Sequence, residues 1–289
     1  MIPSLSAIHF LITYGCSAEC DHCFIWGTPR RSAAMTVEII DNFLAQIVGQ
    51  ERAPAPHAVT GVCAEGGESF TEYDVVVHFL RAATAKGLTA SALTNASWVE
   101  SRRQAEERIA ELMAAGLTSL GISTDQWHQR FIPVERADTL LEVCAQAGLA
   151  ASRMETSLEG VMFRGRAAER LAGSRPTKPA SELTKCPHEK LDAPSRMHLD
   201  CYGMLHLCQG LTLGRAPIAE AIAAYDPASH PIVRALLEGG PYALAQFAAT
   251  FGFDIAPEYV DACHLCYRAR EFLRSRFPDL LGPDEMYGV

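Results

Sequence analysis

Residues 16–23 read Cys16-Ser-Ala-Glu-Cys20-Asp-His-Cys23, three thiols at spacings of four and three behind an apolar run from Ile8 to Ile12. Thiolates are soft ligands that select zinc, copper(I) or iron–sulfur clusters. So short a loop aims three sulfurs at one metal group and supplies no fourth. A 4Fe–4S cluster held this way keeps one iron open to a ligand that is not protein. With ten cysteines in 289 residues, random placement gives this spacing about 0.01 times. A zinc site is the alternative, and it needs a fourth ligand brought from elsewhere.

Around the loop, strand-like and helix-like segments alternate. Ala7 to Thr13 reads as a buried strand. Thr36 to Gly49 carries Val37, Ile40, Phe43, Leu44 and Ile47 at helical spacing, with Thr36 as N-cap and Gly49 as stop. The pattern continues as strand His57 to Ala64, helix Tyr73 to Lys86, strand Leu88 to Leu93 and helix Arg102 to Ala115. Strand Leu117 to Ser123, helix Glu135 to Ala147 and strand Leu149 to Thr156 follow, and Gly87, Gly116 and Gly148 each sit where a left-handed helix cap is expected. A sixth strand is expected at Gly160 to Phe163. This is an α/β chain with a parallel sheet, open or closed into a barrel. In either form ligands gather at the carboxyl ends of the strands. The cysteine loop, Gly66-Gly67-Glu68, Thr94-Asn95, Ser123-Thr-Asp125 and Glu155 all fall there.

The cysteine loop resembles the CxxxCxxC signature of the radical SAM superfamily, and Gly66-Gly67-Glu68 resembles its GGE motif. The resemblance implies a partial (β/α)6 TIM-like barrel over residues 1–172. It also implies a 4Fe–4S cluster on Cys16, Cys20 and Cys23 whose open iron chelates S-adenosylmethionine (SAM). His22 fills the aromatic position before the third cysteine, and Phe24 follows it at the cofactor. Gly66, Gly67 and Glu68 are implied to hold the methionyl amine; glycine lets backbone approach a ligand and the carboxylate accepts from an ammonium. Ser123, Asp125 and Asn95 are implied contacts of ribose or methionyl carboxylate, and Gly165-Arg166-Ala167 of adenine. Arg153 and Glu155 lie two apart on one strand and are expected to share the barrel interior, as an ion pair or as SAM or substrate contacts. His128 lies beside the same edge, as a capping or catalytic histidine. Cys63 and Cys144 sit in apolar patterns and read as core.

Composition bounds the function. Hydrophobic content of 48% with 20% charged residues is that of a soluble globular protein. A net charge of −9 argues against general nucleic-acid binding. No apolar run approaches a membrane span, and no secretory signal is evident. Ten cysteines without an export signal suit metal in a reducing compartment, with cytoplasm the default.

Gly173 to Ser181 is rich in Pro, Ser and Gly and reads as a linker. Beyond it, Met197 to Cys208 reads as a hairpin turning at Tyr202-Gly203, with helical stretches at Ile218 to Tyr225, Tyr242 to Phe251 and Tyr267 to Phe277. Cys186, the GxxxxC at Gly203 to Cys208, and Cys263-His-Leu-Cys266 resemble the twitch and SPASM domains that follow many radical SAM cores. The resemblance implies a small α+β domain over 182–289 with a second, auxiliary 4Fe–4S cluster on Cys186, Cys208, Cys263 and Cys266. Cys201 is an alternative ligand, and four thiolates also describe structural zinc.

The expected activity is reductive cleavage of SAM to a 5′-deoxyadenosyl radical, hydrogen-atom abstraction, and oxidation of the substrate radical through the auxiliary cluster. The substrate is a small molecule or a residue of a ribosomal peptide, and the reductant a flavodoxin- or ferredoxin-type protein. Only 15 residues precede Cys16, so a peptide substrate is expected to need a separate recognition protein or to bind directly in the barrel mouth. A hydrogen-returning epimerase, with Cys201 or Cys63 as donor, is a variant. A non-catalytic zinc protein or an iron–sulfur electron carrier is the alternative class.

Overall fold

The structure is a computed structural model that describes residues 2, 4–48, 59–214 and 217–289. Five parallel strands alternate with four helices. They are β1 (Ala7–Thr13), α1 (Val37–Val48), β2 (Gly61–Gly66), α2 (Tyr73–Ala85), β3 (Thr89–Thr94), α3 (Arg102–Ala114), β4 (Leu117–Ser123), α4 (Val134–Ala147) and β5 (Ala150–Met154). Thr36 Oγ1 accepts from Ile39 N, the N-cap its position implies, whereas the Gly49 stop and the first residues of the 57–64 strand lie outside the described residues. Gly87, Gly116 and Gly148 all carry positive φ, as their place after a helix predicts.

The sixth parallel strand is not where the sequence pattern put it. Gly160 to Phe163 forms no strand; a 3-10 turn (Leu158–Gly160) leads instead into the short helix α5 (Arg166–Arg170). Lys178–Pro179 (β6) then pairs with Glu258–Tyr259 (β10), antiparallel, away from the main sheet. The strand that completes the set is β7 (Arg196–Asp200), which pairs parallel with β1 on its other side, Ile8 against Met197 and Phe10 against Leu199. Leu205–Cys208 (β8) and Leu211–Thr212 (β9) continue the sheet antiparallel, so its order is β5-β4-β3-β2-β1-β7-β8-β9. Residues 182–289 thus supply three strands to the sheet begun by the first half. The physical reason lies in β1. Ile8, Phe10, Leu11 and Ile12 are all fully buried, so both edges of this strand need a partner.

The rest is helical: α6 (Ile218–Ala224), α7 (Pro231–Ala249) and α8 (Ala262–Leu273). α7 breaks at Gly239 and Gly240 ahead of Pro241, so the stretch expected from Tyr242 is its second half. One apolar cluster runs from Leu5 on the first side to Leu273 and Tyr287 on the other. A smaller one (Ala18, Cys20, Trp127, Ile132, Val161, Phe163, Ala167, Val260) wraps the cysteine loop. No helix among the described residues is long and apolar enough to cross a membrane.

Candidate active site

The parallel strands end together at one face, and a cavity of about 440 Å³ opens there. One end is formed by the cysteine loop with Gly66, Gly67, Asn95, Ser123, Asp125 and His128; the other by His9, Glu65, Arg164, Arg196, His198 and Gln209. A wider groove of about 910 Å³ lies between α1, the hairpin turn and the last residues, and none of its lining residues is a cysteine or a histidine. The chemistry therefore belongs to the smaller cavity.

The loop is built to hold sulfur ligands. Backbone N–H groups of Ala18 and Gly27 donate to Cys16 Sγ (3.4 Å) and Cys23 Sγ (3.3 Å), and Asn95 Nδ2 donates to Cys16 Sγ (3.6 Å). Such donors stabilise thiolate and tune a bound cluster. Arg166, buried, donates to Cys20 O (2.9 Å) and Gly27 O (2.8 Å), while its own N–H donates to Cys23 O. It fixes the loop from behind and does not line the cavity. At Gly67 a Cβ would lie 2.0 Å from Gly15 O and 3.1 Å from Cys16 Cβ, so only glycine lets the second strand end against the loop. Among the described residues, the only triplets of ligand atoms within 4.8 Å of one another are His9/Glu65/His198 and His22/Asp125/His128. Donor set, spacing and cradle fit a three-thiolate 4Fe–4S cluster.

Of the residues expected at the cofactor, His22, Phe24, Gly66, Gly67, Asn95, Ser123 and Asp125 line the cavity. His22 stacks on Trp127 at 4.6 Å and points Nε2 at Asp125 Oδ2 (3.4 Å). Asp125 Oδ1 also meets His128 Nδ1 at 2.9 Å. Burial raises the Asp125 carboxyl, but the two imidazoles outweigh it and hold the group well below the carboxylate range. Glu68 does not line the cavity. It is buried, and its carboxylate accepts from Phe70 N, Thr94 Oγ1 and Asn95 N (3.1, 2.8 and 2.6 Å), bracing the ends of β2 and β3. Burial pushes it up to about 7 against those bonds.

Arg153 and Glu155 are the correction. Met154 faces the cavity, so strand alternation turns its neighbours away. Arg153 pairs with Asp138 on α4, and Glu155 accepts from Thr124 Oγ1. Their two-residue spacing placed them on a common face, and it is the outer one.

The far end was not read from the sequence. His9 Nδ1 lies 2.9 Å from Glu65 Oε2 and His198 Nδ1 2.5 Å from Glu65 Oε1, with the three residues on the adjacent strands β1, β2 and β7. Gln209 Nε2 stands 3.2 Å from His198 Nε2. Burial lowers the pKa of His198 below its ordinary value, against the opposing pull of the Glu65 carboxylate. Burial alone would raise Glu65, yet these donors hold it well below the usual range. With Nδ1 directed at Glu65, His9 turns its Nε2 away from the carboxylate. The available signal was a lone histidine in each of two apolar strands, Ile8-His9-Phe10 and Met197-His198-Leu199.

Burial pushes up the Cys263 and Cys266 thiols, and Cys208 beside both and Cys186 beside Cys266 add to the rise. Cys201 instead neighbours Tyr14, Asp200 and Glu285. Cys263 and Cys266 sit in the first turns of α8, whose N-cap Asp261 accepts from His264 N at 2.7 Å; a helix N-terminus favours thiolate. Two buried guanidinium groups, Arg164 and Arg270, face these thiols. Cys144 is buried in α4 as core, and Cys63 is buried on β2 beside Glu65.

Against known proteins, a stretch of 127 residues is 21% identical to YydG of Bacillus subtilis (strain 168), named as a peptide biosynthesis protein. The match covers 44% of this chain and 38% of that protein, well under two thirds of its relative's length. The model of the radical SAM superfamily matches residues 10–171. That span holds the cysteine loop, the glycine pair, the end of β1 and the other four strands of the first half, and the chain belongs to the radical SAM superfamily.

Proposed function

We propose that this chain modifies a peptide residue by a two-electron radical oxidation. In this reading Cys16, Cys20 and Cys23 hold the SAM-binding cluster, and Cys186, Cys208, Cys263 and Cys266 hold a second 4Fe–4S cluster. The observation that carries it is the set of four cysteines faced by two buried guanidinium groups. Neither Arg164 nor Arg270 has a carboxylate within 4.0 Å among the described residues, Glu189 acting on Arg164 from farther off, and each has an unpartnered Nε. Buried cations require counter-charge, and metal-bound thiolates supply it.

When bound, SAM and its cluster supply a 5′-deoxyadenosyl radical that removes one hydrogen atom from a substrate carbon. The substrate radical then closes its shell by losing one electron and one proton. The second cluster would supply the electron acceptor, and His9 Nε2 would take the proton, with Glu65 stabilising the imidazolium. A C–O–H or C–N–H group so oxidised becomes C=O or C=N; a neighbouring C–H yields an alkene. SAM is itself drug-sized, so a cavity of about 440 Å³ that would also house SAM and its cluster leaves little volume for a large substrate. This favours a side chain presented from outside, directly or by a separate recognition protein. The name of the Bacillus subtilis relative points the same way.

The test is iron, sulfide and zinc per chain after anaerobic reconstitution, in wild type and in the Cys16/Cys20/Cys23→Ala variant. The expected result is about eight irons falling to about four. About four falling to none, with zinc retained, would make the second site structural and sink the oxidising reading. A product lighter by two hydrogens supports it. Solvent deuterium retained at one product carbon would mark the hydrogen-returning route instead.

A further inference from the structure

The tripeptide Arg164-Gly165-Arg166 joins the two cysteine sites. Arg164 Nη1 donates to Cys208 Sγ at 2.8 Å, while two residues later Arg166 holds the backbone of Cys20, Cys23 and Gly27. Between them Gly165 adopts φ +59° and ψ −138°, and a Cβ there would lie 2.5 Å from Phe24 O and 2.7 Å from Cys23 O. The Arg164 guanidinium carbon lies 5.5 Å from the Phe24 ring centroid, and both residues line the cavity. A second tie runs alongside. Trp26 Nε1 donates to Tyr267 Oη on α8 at 3.0 Å, and Arg268 of the same helix donates to Ala168 O.

We propose that Arg164 is the fixed counter-charge of the second cluster, and that it sets how readily that cluster takes an electron from a substrate radical formed in the adjoining cavity. The inference rests on the two-cluster reading above. Arg164 is 4% exposed and its charge is permanent. It stands against a thiolate that reduction makes part of a more negative group. Four thiolates around an oxidised 4Fe–4S core leave a double negative charge, which Arg164 and Arg270 together match; reduction adds one electron and leaves an excess. A nearby fixed cation stabilises that reduced state, and in an apolar, water-poor setting it does so strongly. Arg270 is shared with Gln209 O, whereas Arg164 alone also reaches the cavity. It is a positioning residue: the electron passes to the cluster, and the guanidinium fixes the energy of its arrival. No proton moves on it.

The experiment is a mediator-poised redox titration, read by electron paramagnetic resonance, on the reconstituted full chain. It is repeated in the Cys16/Cys20/Cys23→Ala background, where only the second cluster reports. Arg164→Gln is expected to lower the midpoint of the second cluster by at least tenfold in the reduction equilibrium, about 59 mV for one electron. Arg164→Lys, which keeps the charge, is expected to recover most of that shift. Equal midpoints in wild type and Arg164→Gln, with the second cluster present in both, would overturn the role of Arg164 alone. No second-cluster signal in wild type would overturn the two-cluster reading and this inference with it. Should Arg164→Gln lose the cluster, the Lys variant decides: a wild-type midpoint supports the role of charge, and a midpoint lowered by tenfold or more despite the charge overturns it.

Discussion

Glu65 shows how one side chain organises a cavity end. Its carboxylate ties His9 on β1 to His198 on β7, leaving one imidazole face for a substrate. His9→Gln removes the proposed proton acceptor, and the yield of oxidised product per 5′-deoxyadenosine is expected to fall about 10²-fold; an unchanged ratio would place the proton acceptor elsewhere. The pH response follows from the same trio. Burial keeps the folded-state pKa of His198 below its ordinary 6.5. The unfolded chain therefore binds that proton first, and stability falls as pH drops through the window below 6.5. Glu65, held below its ordinary 4.5, adds a further loss at lower pH. Anaerobic urea titrations at about pH 7.5 and about pH 5.5 should show wild type losing more stability than His198→Asn, by at most about 1.4 kcal/mol per pH unit. Parallel losses would remove His198 as the source. Gly165→Ala strains a backbone that only glycine adopts, costs about 1–3 kcal/mol, and is expected to release iron from the first site at a lower denaturant concentration than in wild type.

At the scale of elements, α8 carries half of the second thiol set on its first turns. Asp261 caps it, and its other carboxylate oxygen accepts from Phe163 N at 3.5 Å, next to Arg164. Asp261→Ala is expected to cost about 1 kcal/mol and to fray the turn that holds Cys263 and Cys266. Iron per chain should then fall towards about four, with Asp261→Asn restoring it. Full iron content in the alanine variant would show that the cap is dispensable to the site. β5 shows the limit of reading a face from spacing. Residues two apart share a side, as Arg153 and Glu155 do, but which side is set by pairing with β4, where Ser123 meets Met154.

Over the whole molecule, the two halves form one sheet. β7 covers an edge of β1 whose apolar residues are fully buried, so residues 1–172 alone would expose that edge. The full chain is expected to unfold in one cooperative transition, with calorimetric and van't Hoff enthalpies equal. A 1–172 fragment should aggregate. Two separated transitions, or a soluble fragment with native far-ultraviolet dichroism, would show that the halves fold independently.

The sequence by itself determined what is local. The three thiols and their spacing, the alternation of strands and helices, and the glycine pair behind β2 are each set within a few residues. Periodicity, caps and ligand chemistry act over that range. A CxxC on a helix and a hairpin thiol are short patterns too, and they are what suggested Cys263, Cys266 and Cys208, with Cys186, as the proposed second set. Only the tertiary structure decided which partner covers β1, which way Arg153 turns, and that His9, Glu65 and His198 meet. Those three lie 56 and 133 residues apart along the chain, and no local propensity records a contact made by strand order. The same holds for Arg164. Its sequence neighbours give no sign of Cys208, 44 residues away. The pairing of a buried guanidinium with a thiol becomes visible only once the fold has brought the sulfur to it.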